Sequence, residues 1–152
     1  MVTHRPYTPP AWQAKPLADG RVTLLVVPLK VPAGSYVEQG RIWAMTDGCA
    51  YGDAALPYAP GDLIWCRESW WQAGDLLYMW RSPDTMPKDI ARTWLRCTGV
   101  KVRRVQTISE DEVRRVGLEP NDGTVLRGKF NPWDANPWCA FTTVEKISKE
   151  DV

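Results

Sequence analysis

Residues 93–105, Thr-Trp-Leu-Arg-Cys-Thr-Gly-Val-Lys-Val-Arg-Arg-Val, form the longest strand-like run of the chain, and the run changes phase part-way. Apolar side chains fall at Leu95 and Cys97 and then at Val100 and Val102, a slip of one residue centred on Gly99. Side chains of a strand alternate between its two faces, so a slip of one predicts a β-bulge at the glycine. Bulges bend a strand and increase its twist, which helps a sheet to curl into a barrel.

The remaining runs fit around such a sheet. Arg21–Val27, after the turn signal Asp19-Gly20, is valine-rich and reads as a buried strand. Gly61-Asp62 opens a run to Trp71, and Leu76–Trp80 follows a connection containing Gly74-Asp75, so these two read as a hairpin. Ala140–Ile147 reads as a final strand. Ser109 with Glu112 three residues on makes a capping box, and Gly117 sits where a left-handed C-terminal cap belongs, which predicts a short helix near Ser109–Val116. Residues 1–16 hold four prolines and read as an extended lead-in. Residues 31–60 read as a long loop or a pair of short strands, with only Arg41–Met45 strand-like. The expected fold class is α+β, mostly β: a pseudo-β-barrel of five to six strands with one short helix, forming a single domain over 1–152.

Composition excludes several function classes. No run of eighteen apolar residues exists and the N-terminus lacks an apolar signal core, so a cytoplasmic protein of a bacterial cell, monomeric and without a membrane partner, is expected. Cys49, Cys66, Cys97 and Cys139 form no close pair and His4 is the only histidine, so the expectation is no metal, no cofactor, and free, buried cysteines. The same lone histidine argues against nucleophilic catalysis of the Ser-His or Cys-His kind. Net charge is only +1, yet residues 92–129 carry 9 basic and 5 acidic groups, a local +4. A basic block of this kind can attract phosphates, and Lys101, Arg103, Arg104, Arg114 and Arg115 are its nucleic-acid-binding candidates.

Three segments together resemble a known family: Gly-Asp-Leu-Ile-Trp-Cys-Arg-Glu-Ser-Trp at 61–70, Gly99–Leu118, and Trp-Asp-Ala-Asn-Pro-Trp at 133–138. Their order and spacing are similar to the ASCH-like proteins common in bacteriophage and prophage genomes, a branch of the PUA-like superfamily. Met86-Pro87-Lys88 and Ala91-Arg92 resemble the loop before the long strand in those proteins. The resemblance implies a pseudo-barrel with a cleft beside the first strand, and binding of RNA or of flipped or modified bases. It also brings in amidohydrolase and ribonuclease activities reported for some relatives. The family's first-strand signature resembles Gly-Arg-Lys-Thr-x-Thr-Arg-Arg, whereas this chain has Gly20-Arg21-Val22-Thr23-Leu24-Leu25-Val26-Val27, with Val22 in the lysine's place. The segment between Leu118 and Trp133 is short and lacks the family's aromatic helix.

Glu68 alternates with Ile64, Cys66 and Trp70, and a carboxylate on an apolar face must be paired or protonated. It is a candidate acceptor for a base's amino group, or one half of an ion pair with Arg67, Arg92 or Lys88. Most of the nine tryptophans are expected in the core, with Trp70 or Trp71 lining the cleft. The expected ligand-binding set is Arg21, Thr23, Arg67, Glu68, Trp70, Lys88 and Arg92. The leading expectation is a non-catalytic domain that binds RNA, single-stranded nucleic acid or a modified nucleobase. The alternatives are a small nucleoside or RNA hydrolase, for which only Glu68 and Thr23 remain as catalytic groups, and a phage protein that binds a host protein.

Overall fold

The computed structural model describes residues 2–31, 35–38, 41–46, 49–53, 56–76, 79–119, 129–130 and 133–152. Its principal sheet has five strands: β1 (His4–Tyr7), β2 (Leu24–Pro28), β6 (Leu63–Cys66), β7 (Trp94–Arg104) and β8 (Trp138–Ile147), in the order β1-β6-β7-β8-β2. All neighbours run antiparallel except β1 and β6, which are parallel. A second sheet joins β3 (Tyr36–Glu38), β4 (Arg41–Thr46) and β5 (Cys49–Asp53). The described residues also form two α-helices, α1 (Ala11–Ala18) and α2 (Glu110–Arg115), and four short 3-10 helices. None of the described helices is long and apolar enough to cross a membrane.

The bulge lies where the phase slip puts it. Cys97 pairs with Val144 and Gly99 with Thr143, so Thr98 is the extra residue. Because of it Leu95, Cys97, Val100 and Val102 all share one face, opposite Lys146, Val144, Thr142 and Ala140. A regular ladder would turn Val100 and Val102 to the other side. That face gathers Leu25, Ile64, Cys66, Leu95, Cys97 and Val144 with Leu17, Val22 and Tyr58. The opposite face carries two smaller clusters, one around Leu24, Val105, Val116 and Phe141, the other around Leu63, Trp70, Met86 and Trp94. Both faces of the sheet thus carry buried apolar clusters.

Helix α2 starts as its capping box requires: the Glu112 N–H donates to Ser109 Oγ at 3.2 Å and the Ser109 N–H to Glu112 Oε1 at 3.0 Å. Gly117 follows at φ +101°, just past the last turn.

Four expectations need correction. The lead-in 1–16 is not a passive extended segment. His4–Tyr7 pairs with β6, which edge position tolerates despite Pro6, and Pro10 opens α1 as its N-terminal cap residue. The described residues thus hold a second α-helix, α1, beside the expected one. Residues 31–60 carry the three strands of the second sheet. The 61–71/76–80 hairpin is absent among the described residues: β6 stops at Cys66 and pairs with β1 and β7, and only a lone Trp70–Arg81 bridge ties the loop, with residues 77–78 outside the described set. Trp80, placed in the core by its strand-like surroundings, is 66% exposed. Most of the segment between Leu118 and Trp133 also lies outside the described residues.

The five-stranded sheet is not closed. Its edges, β1 and β2, face each other across a cavity that Tyr7 of one and Val27 of the other both line. Helix α1 sits at this seam, contributing Trp12 and Gln13.

Candidate functional site

Three of the seven expected ligand-binding residues meet at one place, and the other four are scattered. Glu68, Trp70 and Arg92 come together around a groove of about 520 Å³, formed where the chain leaves β6 and before it enters β7. Arg92 donates to both carboxylate oxygens of Glu68 at 2.8 Å, a bidentate pair of the kind that fixes both side chains. Glu68 is therefore not isolated; of its three candidate partners, Arg92 is the one it has. The hydrogen bonds to Glu68 hold Arg92 above the usual guanidinium range. The Glu68 N–H also donates to the Met86 sulfur at 3.3 Å, which ties this turn to the core beneath.

The groove's aromatic wall is built by a stapled loop. Trp70 and Arg81 exchange backbone hydrogen bonds of 3.2 and 2.9 Å, which tie the two ends of the intervening segment together. Asp75 accepts from the Arg81 side chain at 2.8 and 2.7 Å and from the Gln72 N–H at 3.2 Å. The Arg81 hydrogen bonds hold the Asp75 carboxyl below the usual carboxylate range. Trp70 is buried, donates to Thr85 Oγ1 at 3.0 Å, and has the Arg81 guanidinium 4.8 Å from its ring centre. Trp71 and Trp80 stay open, at 39% and 66% exposure, and both line the groove with Ile90. Trp71 donates its indole N–H to the Asp75 carbonyl, whereas Trp80 has no hydrogen-bond partner among the described residues. Sequence reasoning named Trp70 or Trp71 for this wall and missed Trp80, because an apolar alternation looks alike in a strand and in a loop.

Other candidates lie outside the groove. Arg67 donates to Thr8 Oγ1 at 2.7 Å and sits 4.0 Å from Asp84. Lys88 donates to His4 Nδ1 at 3.2 Å, and that imidazole meets Trp94 edge to face. Arg21 pairs with Asp19 at the surface. Thr23 joins β2 to α2: its Oγ1 accepts from Arg115 Nε at 3.1 Å, and its N–H donates to the Arg115 carbonyl at 2.8 Å. Thr23 and Glu68 thus have separate partners on separate elements. Val22, where the resembling proteins have lysine, is a core residue.

The basic block is largely spent on the fold. Arg103 donates to both Glu112 oxygens at 2.7 and 2.9 Å and covers the Phe141 ring at 4.4 Å. Arg104 donates to the Asn136 carbonyl at 3.0 Å and stacks over Trp138 at 4.0 Å. Arg115 is engaged with Thr23, which leaves Lys101 and Arg114 as the candidates with no side-chain partner among the described residues. Arg127 lies outside the described residues.

The seam cavity, about 360 Å³, uses residues that sequence reasoning set aside with the lead-in: Tyr7, Thr8, Trp12 and Gln13. Burial pushes the Tyr7 hydroxyl above its usual range and lifts the Cys139 thiol to about 11, so both stay neutral at physiological pH.

No family model matches the chain, and no curated protein does. Two solved structures are similar to it, both crystal structures of mutants of ZmASCH, a protein from Zymomonas mobilis. The serine-to-alanine mutant shares 12% identity over 97% of this chain and 75% of its own, with a TM-score of 0.51. For the tyrosine-to-phenylalanine mutant the figures are 12%, 97%, 77% and 0.49. What the first of these shares with the chain is architecture: the fold reached from the bulged strand outward is ASCH-like.

Proposed function

We propose that this domain binds RNA, other single-stranded nucleic acid or a modified nucleobase without transforming it, and that the groove beside Glu68 is where it does so. One observation carries the reading: two exposed indoles, Trp71 and Trp80, line the same groove as the bidentate Arg92–Glu68 pair. Stacking on an aromatic face supports any base, at about 1–3 kcal/mol each, while an arginine–carboxylate pair offers donors and acceptors to a base edge. Charges at the groove are paired and Arg103, Arg104 and Arg115 serve the fold, so the phosphate contribution is small. The motif likeness to phage and prophage proteins favours a bacterial cytoplasmic setting.

The test is titration of short single-stranded RNA and DNA against tryptophan fluorescence, with a duplex as control. Trp71→Ala and Trp80→Ala are expected to weaken single-strand binding by about 5- to 150-fold each, the range that stacking energies imply. The salt slope should correspond to no more than about two or three phosphates. Unchanged binding in the double mutant, or no binding of any oligonucleotide or nucleoside by the wild type, overturns the proposal. A protein partner is the second reading, favoured by Leu76 and Met79, which are exposed in the same loop as Trp80.

A further inference from the structure

The two exposed indoles of the groove are held by residues that do not line it. Neither Asp75 nor Arg81 is among the described residues of its walls, yet each is tied to one of the rings. On one flank the Trp71 indole N–H donates to the Asp75 carbonyl at 3.1 Å. Asp75 is itself locked to Gln72: its N–H donates to the Gln72 carbonyl at 3.0 Å, and its carboxylate accepts the Gln72 N–H at 3.2 Å. Gly74, at φ +97°, makes the turn that lets Asp75 fold back on these residues. On the other flank Trp80 has no hydrogen bond of its own among the described residues, so its place follows from Arg81, the next residue. The Arg81 backbone is bridged to Trp70 and its guanidinium stands over the Trp70 ring. The Asp75 carboxylate joins the two flanks, taking Arg81 Nε on Oδ2 at 2.8 Å and Arg81 Nη2 on Oδ1 at 2.7 Å. A fork-to-fork pair of this kind fixes direction as well as distance.

On the stacking role given to these rings above, we propose that Asp75 is a positioning residue: its carboxylate, clamped on Arg81, is the crossbar that holds Trp71 and Trp80 where bases stack on them. Loops are the mobile parts of a fold, and side chains that must be ordered at the moment of binding weaken it. The crossbar orders both indoles beforehand. Its electrostatic sign makes the role readable. A carboxylate beside bound nucleic acid repels phosphates, so removing one ordinarily strengthens binding. Removing this one weakens it.

The experiment uses the whole chain labelled with fluorotryptophan, and a fluorescein-labelled single-stranded RNA of mixed sequence as probe. Fluorine NMR of the free protein reports the rings, with the Trp71 and Trp80 signals assigned from Trp71→Phe and Trp80→Phe. In Asp75→Ala both signals are expected to sharpen and move toward their positions in the unfolded chain, while that of buried Trp94 stays. RNA affinity, read by anisotropy, should fall about tenfold, the cost of ordering two side chains. Arg81→Ala should do the same, and the double variant should lose no more than either single one, because the two residues act as a unit. Asp84→Ala, which removes an exposed carboxylate that does not line the groove, should keep or slightly raise affinity. The pair is open to solvent, so Tm should fall by no more than about 4 °C. Unmoved Trp71 and Trp80 signals in Asp75→Ala overturn the crossbar, whatever the wild type binds. So does an affinity that holds or rises while the signals move. A wild type that binds no oligonucleotide removes the stacking role instead, and moved signals then still support the crossbar as what sets the two rings.

Discussion

Gly117→Ala should be among the costliest single-atom-group additions to this protein, for two reasons that can be measured apart. The residue sits at φ +101°, a conformation side chains resist by about 1–2 kcal/mol. An added Cβ would also lie 2.8 Å from Pro16 Cβ, 3.2 Å from Pro16 Cγ and 3.3 Å from Val22 Cγ2. Pro16 is a rigid ring inside α1 and Val22 belongs to the core, so neither yields easily; overpacking of this sort costs about 1–3 kcal/mol. Reduced freedom of the unfolded chain returns about 0.4–1 kcal/mol. The net expectation is about 1–4.6 kcal/mol, or a Tm lower by roughly 2–18 °C at this chain length. Gly74→Ala is the control, because Gly74 has φ +97° with nothing within 4 Å of a built Cβ. It carries the backbone cost without the clash. Urea unfolding of both variants gives the difference, expected at about 1–3 kcal/mol. Equal losses in the two would refute the close approach of α2's end to α1.

Burial alone would raise the Glu112 carboxyl, but the Arg103 hydrogen bonds and the Ser109 N–H outweigh it and hold the group below the usual glutamate range. The stabilisation it supplies is therefore present above the unfolded-chain pKa and is lost as pH falls through the lower folded value. Glu112→Gln should be less stable than wild type at pH 7, and the two denaturation midpoints should converge as pH drops through and below the usual glutamate range. Cys66, Cys97 and Cys139 are buried, and burial pushes their thiols up, to about 12 for Cys66 and about 11 for Cys139. All three should resist a thiol reagent at pH 8 in the native protein and react once urea unfolds it, as read by peptide mass spectrometry.

Local signals were legible where the chemistry is local. The bulge at Gly99 follows from a phase count within one run, and the Ser109–Glu112 box from residues three apart. Helix α1 was hidden because its evidence is tertiary. Pro10 and Pro16 argue against a helix in isolation, yet Pro16 is buried against Gly117, and Gln13 is anchored on Val116. β1 was hidden for the same reason, since its hydrogen bonds go to residues 63–66 and it has no apolar alternation of its own. Half of the candidate site followed from this: Glu68, Trp70 and Arg92 lie in one segment and could be read together, whereas Tyr7, Thr8 and Gln13 meet Val27 only through the curl of the sheet.

The strand order has a consequence for biosynthesis. β2 is made early but pairs only with β8, Leu24 opposite Thr143 and Pro28 opposite Cys139, and β7, the middle strand, also waits for β8 along its length. While the chain is growing on a ribosome, the apolar Leu24–Val27 therefore has no sheet partner until the final strand emerges. Contacts this far apart in sequence slow folding and prolong the exposure of aggregation-prone segments. The apolar run that ends as one wall of the seam is, during synthesis, the segment with most to gain from a chaperone.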